Sequence, residues 1–215
     1  MEPHISLTGL VKFVVASPSQ QRKVLRDHKY PDPDGLAQAK YYQEATRAIM
    51  AFYRNGHDRS WLEARADALI ARKAGASEHA KTKLDSNAAV LRSHAKHFSS
   101  QGVDLVESPK LVYVHAGLDI AVTPHLSIME RKQKRLVRLR FPLQRNADET
   151  AKVACQVMYE AAESMGLDLP ASAFRVWDCR SGKKHKMARS RSRTRSDIEA
   201  ACETIVDLWP GIRPR

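Results

Sequence analysis

The chain has 215 residues, 43% of them hydrophobic and 28% charged, enough for one domain or for a core with a helical extension but not for two independent domains. No apolar run approaches bilayer-spanning length, which points away from a membrane protein. The formal net charge of +12, from 36 Lys and Arg against 24 Asp and Glu, is the balance of a polyanion binder.

The opening "MEPHISLTGLVKFVVASPSQ" starts with an acidic residue and lacks a basic leader, so no secretory signal is expected. Cys155, Cys179 and Cys202 are far apart and odd in number. They form neither a disulfide framework nor a four-cysteine metal centre, and a cytoplasmic setting is expected. "SLTGLVKFVV" predicts a short helix, and a second begins with Ser17 as N-cap and Pro18 in its first turn. "YPDPDG" breaks the chain. A helix through Leu36, Tyr41, Ala45, Ile49, Phe52 and Tyr53 is stopped by Asn55-Gly56, a third or fourth is capped by Asp58 or Ser60, and another by Ser77.

From Val103 the period changes to two. "VDLVESPKLVYVHAG", "LDIAVTPHLSIM" and "RLVRLRF" predict three antiparallel strands; in the third, Val137, Leu139 and Phe141 face one way and Arg138 and Arg140 the other. "ETAKVACQVMYEAAESMG" is a helix stopped by Gly166, "SAFRVWDCR" a fourth strand, and 180–195 a flexible basic loop. Ser196 and Glu199 form a capping box for a closing helix. The expected fold is α/β (α+β): a helical region over 1–102, then a β-β-β-α-β-α core over 103–215 with a four-stranded mixed sheet. The helix joining the third strand to the fourth requires a parallel crossover.

Positive charge is clustered. Arg180 to Arg195 contains eight Lys or Arg and no acid, and Arg131 to Arg140 reads "RKQKRLVRLR". Such segments neutralise phosphates with little regard to sequence. The residues expected to contact nucleic acid are Arg131, Lys134, Arg135, Arg138, Arg140, Lys183, Lys184, Lys186, Arg189, Arg191, Arg193 and Arg195. DNA or RNA is the expected partner rather than a membrane, since no basic amphipathic helix accompanies the clusters.

Several short motifs stand in a telling order. Ala16-Ser17-Pro18 follows the first helix, "AGLDIAV" carries Asp119, "ERK" spans Glu130 to Lys132, and "QVMY" runs from Gln156 to Tyr159. This order resembles the PD-(D/E)XK, or restriction-endonuclease-like, nuclease superfamily, particularly its RecB-type branch; the Gln-to-Tyr spacing is one residue short of that branch's pattern. The resemblance implies a Mg²⁺ site on Asp119 and Glu130, with Lys132 stabilising developing charge and Glu63 as a further helical acid. It also implies a defence, mobile-element or nucleic-acid-processing role in a prokaryote.

Two registers remain open. In one, a strand from Ser127 completes the set Asp119, Glu130 and Lys132, giving an active Mg²⁺-dependent nuclease. In the other, favoured by the clean alternation of "RLVRLRF", Arg138 and Arg140 occupy the acid and lysine positions, leaving a degenerate core that binds nucleic acid without cutting it. A third reading is a non-catalytic subunit of a nucleoprotein complex that docks a protein partner. His94 and His97 are expected on a solvated helix face, and His115 and His125 as ordinary strand residues. Asp178 is expected to pair with Arg180 or Lys183, and Trp61, Trp177 and Trp209 to pack in the core.

Overall fold

Local capping chemistry sets the N-terminal helices. The computed structural model describes residues 2–31, 40–99, 103–141, 146–187 and 192–214. Helix α1, Leu7–Val14, is capped by Ser6 Oγ, which accepts the Gly9 N–H at 3.2 Å. Ser17 and Gln20 form a capping box at the start of α2, Pro18–Lys29. Helix α3, Gln43–Arg54, ends at Asn55 and Gly56, the latter at φ +62°. Asp58 caps α4, Arg59–Ala71, and Ser77 caps α5, Glu78–His97. The break expected after Pro31 and the start expected at Leu36 lie outside the described residues.

Among the described residues the strand region holds five strands before the next helix, where three were expected: β1, Val103–Leu105; β2, Leu111–His115; β3, Leu118–Val122; β4, Leu126–Glu130; and β5, Gln133–Arg140. Pro109 and Pro124 account for the difference. Each lies in a segment expected to run through as one strand, and each lacks the N–H that a continuing ladder needs. Helix α6, Ala147–Ser164, then leads to β6, Phe174–Asp178, β7, Lys183–Lys186, and α7, Ser192–Leu208.

The basic segment 180–195 is therefore not a loop throughout. It contributes β7 and the first turn of α7, so Ser196 lies inside the helix rather than at its cap, and Glu199 accepts from Arg195 at 3.0 Å.

The main sheet has five strands rather than four, in the order β1-β4-β5-β6-β7, and β2-β3 forms a separate ribbon. Strands β5 and β6 are parallel, as their helical connection requires, and the other pairs are antiparallel. The sheet is covered on both faces. Leu136, Phe174 and Val176 join α1, α2, α6, α7 and the inner face of the ribbon in one core. Leu126, Ile128, Val137, Leu139 and Trp177 join α3, α4 and α5 in the other. The N-terminal helices are thus divided between the two faces.

His94, expected in solvent, is fully buried at 0% exposure among Tyr53, Phe98 and Trp177. The Tyr53 hydroxyl donates to the Phe98 carbonyl at 3.0 Å and lies 3.1 Å from His94 Nε2. Burial, reinforced by the Lys184 charge, depresses the His94 pKa to about 3. His125 accepts the Leu139 N–H at 2.9 Å, and burial, reinforced by Arg138, lowers its pKa to about 4. Both imidazoles are neutral in the folded protein and take up protons on unfolding. Their stabilisation is complete above the unfolded histidine pKa of about 6.5 and is lost as pH falls below it. For His94 the loss is about 2 kcal/mol at pH 5. Urea midpoints measured from pH 7 to pH 5 should fall steeply for the native chain, and less steeply for His94→Gln; parallel slopes would contradict this account.

Candidate nucleic-acid interface

Strand β5 lies at the centre of a sheet covered on both sides, so its basic side chains need partners. Arg138 Nη2 donates to Thr8 Oγ1 at 2.6 Å, and Arg140 Nη1 donates to Asp178 Oδ2 at 2.6 Å. The Arg140 and Asp178 side chains are only 10% and 7% exposed. On the other face Arg135 donates to Ser172 and Gln133 and lies 3.6 Å from Glu130, which also accepts from Arg175 at 3.0 Å. Burial, and then Arg175, push the Arg135 pKa down. Three arginines expected to face phosphate, Arg135, Arg138 and Arg140, are therefore engaged within the fold.

The residues expected to hold Mg²⁺ are not assembled. Asp119 lies on the exposed face of the ribbon opposite Val114, in a different sheet from Glu130. The Glu130 carboxylate is held between two guanidiniums. Lys132 and Arg131 form the two-residue turn between β4 and β5, with φ values of 63° and 52°, and both are exposed. Glu63 pairs with Arg59 at 2.8 Å on the surface of α4. Among the described residues no three His, Cys, Asp or Glu side chains form a group able to hold a metal ion, and this donor set does not fit the expected ion. Gln156 is buried and donates to Glu160 at 2.6 Å, while Tyr159 donates to Glu163 at 2.8 Å. Both belong to the packing of α6.

Exposed positive charge is concentrated on β7. Lys183, Lys184 and Lys186 are all exposed on this edge strand, while His185 between them is buried. The turn that presents them is tightly built. Asp178 Oδ1 accepts the N–H groups of Arg180 and Ser181 at 3.0 and 3.2 Å, and the Gly182 N–H closes on the Asp178 carbonyl at 2.8 Å. Gly182 has φ +73°, and a Cβ there would meet the His97 ring at 2.5 Å. Asp178 thus pairs with Arg140 rather than with Arg180 or Lys183, and also caps the turn.

Lys183 pairs with Asp148 in the first turn of α6 at 2.7 Å, which lowers the Asp148 pKa. His185 approaches the same carboxylate at 3.2 Å, and burial lowers its pKa despite that charge. The Lys184 ammonium lies 5.5 Å from the Phe98 ring centroid and 5.3 Å from that of Trp177. No carboxylate pairs with Lys184 or Lys186 among the described residues. Arg189 and Arg191 lie outside the described residues. Arg193 is exposed, Lys134 is half-buried, and Arg195 is paired with Glu199 at 3.0 Å.

Arg175, Asp148 and His185 went unnoticed in the sequence. Each takes its role from a partner far along the chain. The alternation in "KKHK" was the available signal that the histidine turns inward.

Removing the Asp178 carboxylate leaves Arg140 buried and unpaired and the β6–β7 turn uncapped. Asp178→Ala should cost about 3–5 kcal/mol in urea unfolding at pH 7. Asp178→Asn should cost less, because the amide oxygen still accepts from the turn; equal costs would assign the loss to charge alone. Comparison with protein-family models, with curated proteins and with solved structures found no match.

Proposed function

We propose that this chain binds nucleic acid through the face formed by β7 and the basic segment that follows it. The observation that carries this reading is the exposure of Lys183, Lys184 and Lys186 along one edge strand, with only Lys183 paired to a carboxylate among the described residues. The strand leads directly into "MARSRSRTR", so positive charge continues along the sequence to Arg195. Arg131 and Lys132, exposed at the β4–β5 turn, are a secondary source of charge. Contacts of this kind go to phosphates and carry little sequence information. The DNA or RNA backbone is accordingly the target, in the nucleic-acid-processing or defence setting that the nuclease resemblance suggests, with binding rather than cleavage as the activity.

Gel retardation with labelled single- and double-stranded DNA and RNA tests this, run in EDTA and in Mg²⁺. Retention should fall steeply with salt, and Lys184→Glu with Lys186→Glu should weaken it by on the order of tenfold. The slope of log affinity against log salt should also fall by about 2. Arg131→Glu should act more weakly. Retention indifferent to the β7 charges would overturn the proposed surface, and cleavage in Mg²⁺ abolished by Asp119→Ala would replace binding with nuclease activity.

A further inference from the structure

The ribbon offers a second surface, different in chemistry from β7. A groove of about 560 Å³ is lined by four consecutive β2 residues, Val112 to His115, and by Glu160, Glu163, Met165, Arg195 and Glu199 among the residues of α6, α7 and the turn after α6. Consecutive residues of a strand point to opposite faces. A groove that touches all four, and no residue of β3, runs along the strand's free edge.

The hairpin geometry identifies the backbone groups on that edge. Ala116 and Gly117, at φ 52° and 77°, form a two-residue turn between His115 and Leu118. The flanking pair is then hydrogen-bonded, and the alternation of an antiparallel ladder makes Val112–Ala121 and Val114–Asp119 the non-bonded pairs. The N–H and C=O groups of Val112 and Val114 therefore point away from β3. These two valines are 39% and 61% exposed.

The two edges of the main sheet are blunted. Edge β1 has three residues, and edge β7 carries lysines, both familiar protections against strand addition. Edge β2 has neither.

Charge selects the occupant. Glu160, Glu163 and Glu199 line the groove against a single arginine, Arg195, and Glu203 lies 3.6 Å from His115. In a chain of net charge +12, this patch has the opposite sign. A strand added to β2 would place alternate side chains beside Val112 and Val114, and the others over the glutamates of α6 and α7. We propose that the β2 edge receives an extended segment of a protein partner in which β-branched apolar residues alternate with Lys or Arg, bound by strand addition.

A fluorescein-labelled heptapeptide of alternating lysine and valine is the probe, with alternating glutamate and valine as its counterpart. The basic peptide should bind the full chain at least tenfold more tightly and shift the amide resonances of Val112 and Val114. Val114→Lys should weaken it about tenfold while leaving nucleic-acid retardation unchanged, and Glu163→Lys with Glu199→Lys should separately weaken it about tenfold. Absence of binding, equal affinity for both peptides, or shifts confined to other strands would overturn the proposal. So would a concentration-dependent dimer of the protein alone, in analytical ultracentrifugation, that Val114→Lys abolishes, since a second copy would then be the occupant.

Discussion

The fold depends on making charge tolerable in its central strand. Between Gln133 and Arg140, β5 carries Lys134, Arg135, Arg138 and Arg140, yet hydrogen-bonds to strands on both sides and is covered by helices on both faces. A buried guanidinium without a partner costs several kcal/mol. Each arginine is accordingly met by a partner: Arg138 by Thr8 on α1, Arg140 by Asp178 at the end of β6, and Arg135 by Ser172 and, across the β4–β5 turn, by Glu130. The Arg140–Asp178 pair also ties the parallel strands together at their carboxyl ends. The Cys179 N–H donates to the Arg140 carbonyl at 2.8 Å beside it. These contacts couple the turn that displays the β7 lysines to the centre of the sheet.

The count of 36 Lys and Arg consequently overstates the positive charge available to a ligand. Some of these residues are offset locally in ion pairs at β5, and others lie on helices in surface pairs such as Arg59–Glu63, Arg72–Glu44 and Arg92–Asp67, which contribute little to stability. What remains concentrated is β7. Lys184 has a further role there: its ammonium over Trp177 and Phe98 closes one end of the aromatic core that contains His94. The same charge helps to keep His94 neutral. The proposed binding surface and the core are joined at this lysine.

The elements that could be read from sequence were those encoded locally. Ser17, Asp58, Ser77, Asn55-Gly56 and Gly166 act on chain within a few residues, so the starts and stops they mark are found where the residues stand. The parallel crossover was likewise readable, because a helix between two strands leaves few topologies. Misreadings arose where hydrophobic alternation masked a local signal. Pro109 and Pro124 interrupt segments whose alternation suggested unbroken strands. A run such as "RLVRLRF" looks half-exposed by period alone, because alternation cannot distinguish solvent from a buried partner such as Asp178, 38 residues away. The same limit governed the proposed metal set. Asp119, Glu130 and Lys132 are close in sequence, but a prolyl turn and a two-residue hairpin send them to a separate ribbon, an ion cluster and a turn.

The two proposed surfaces share their supports. Helix α6 begins at β7, where Asp148 takes Lys183 and His185, and its later turns reach the groove beside β2 through Glu160 and Glu163. Helix α7 begins within the arginine-rich segment and lines that groove through Arg195 and Glu199. Arg195 faces both ways in chemical terms: it belongs to the basic run in sequence, but its partners are Glu199 and Glu160 on the groove wall. A basic side chain entering the groove would compete with Arg195 for those carboxylates and release a guanidinium beside the segment expected to meet phosphate. Shared helices and a shared ion cluster give the two proposed surfaces a physical route for coupling, one in which partner binding would strengthen the positive field at the proposed nucleic-acid face.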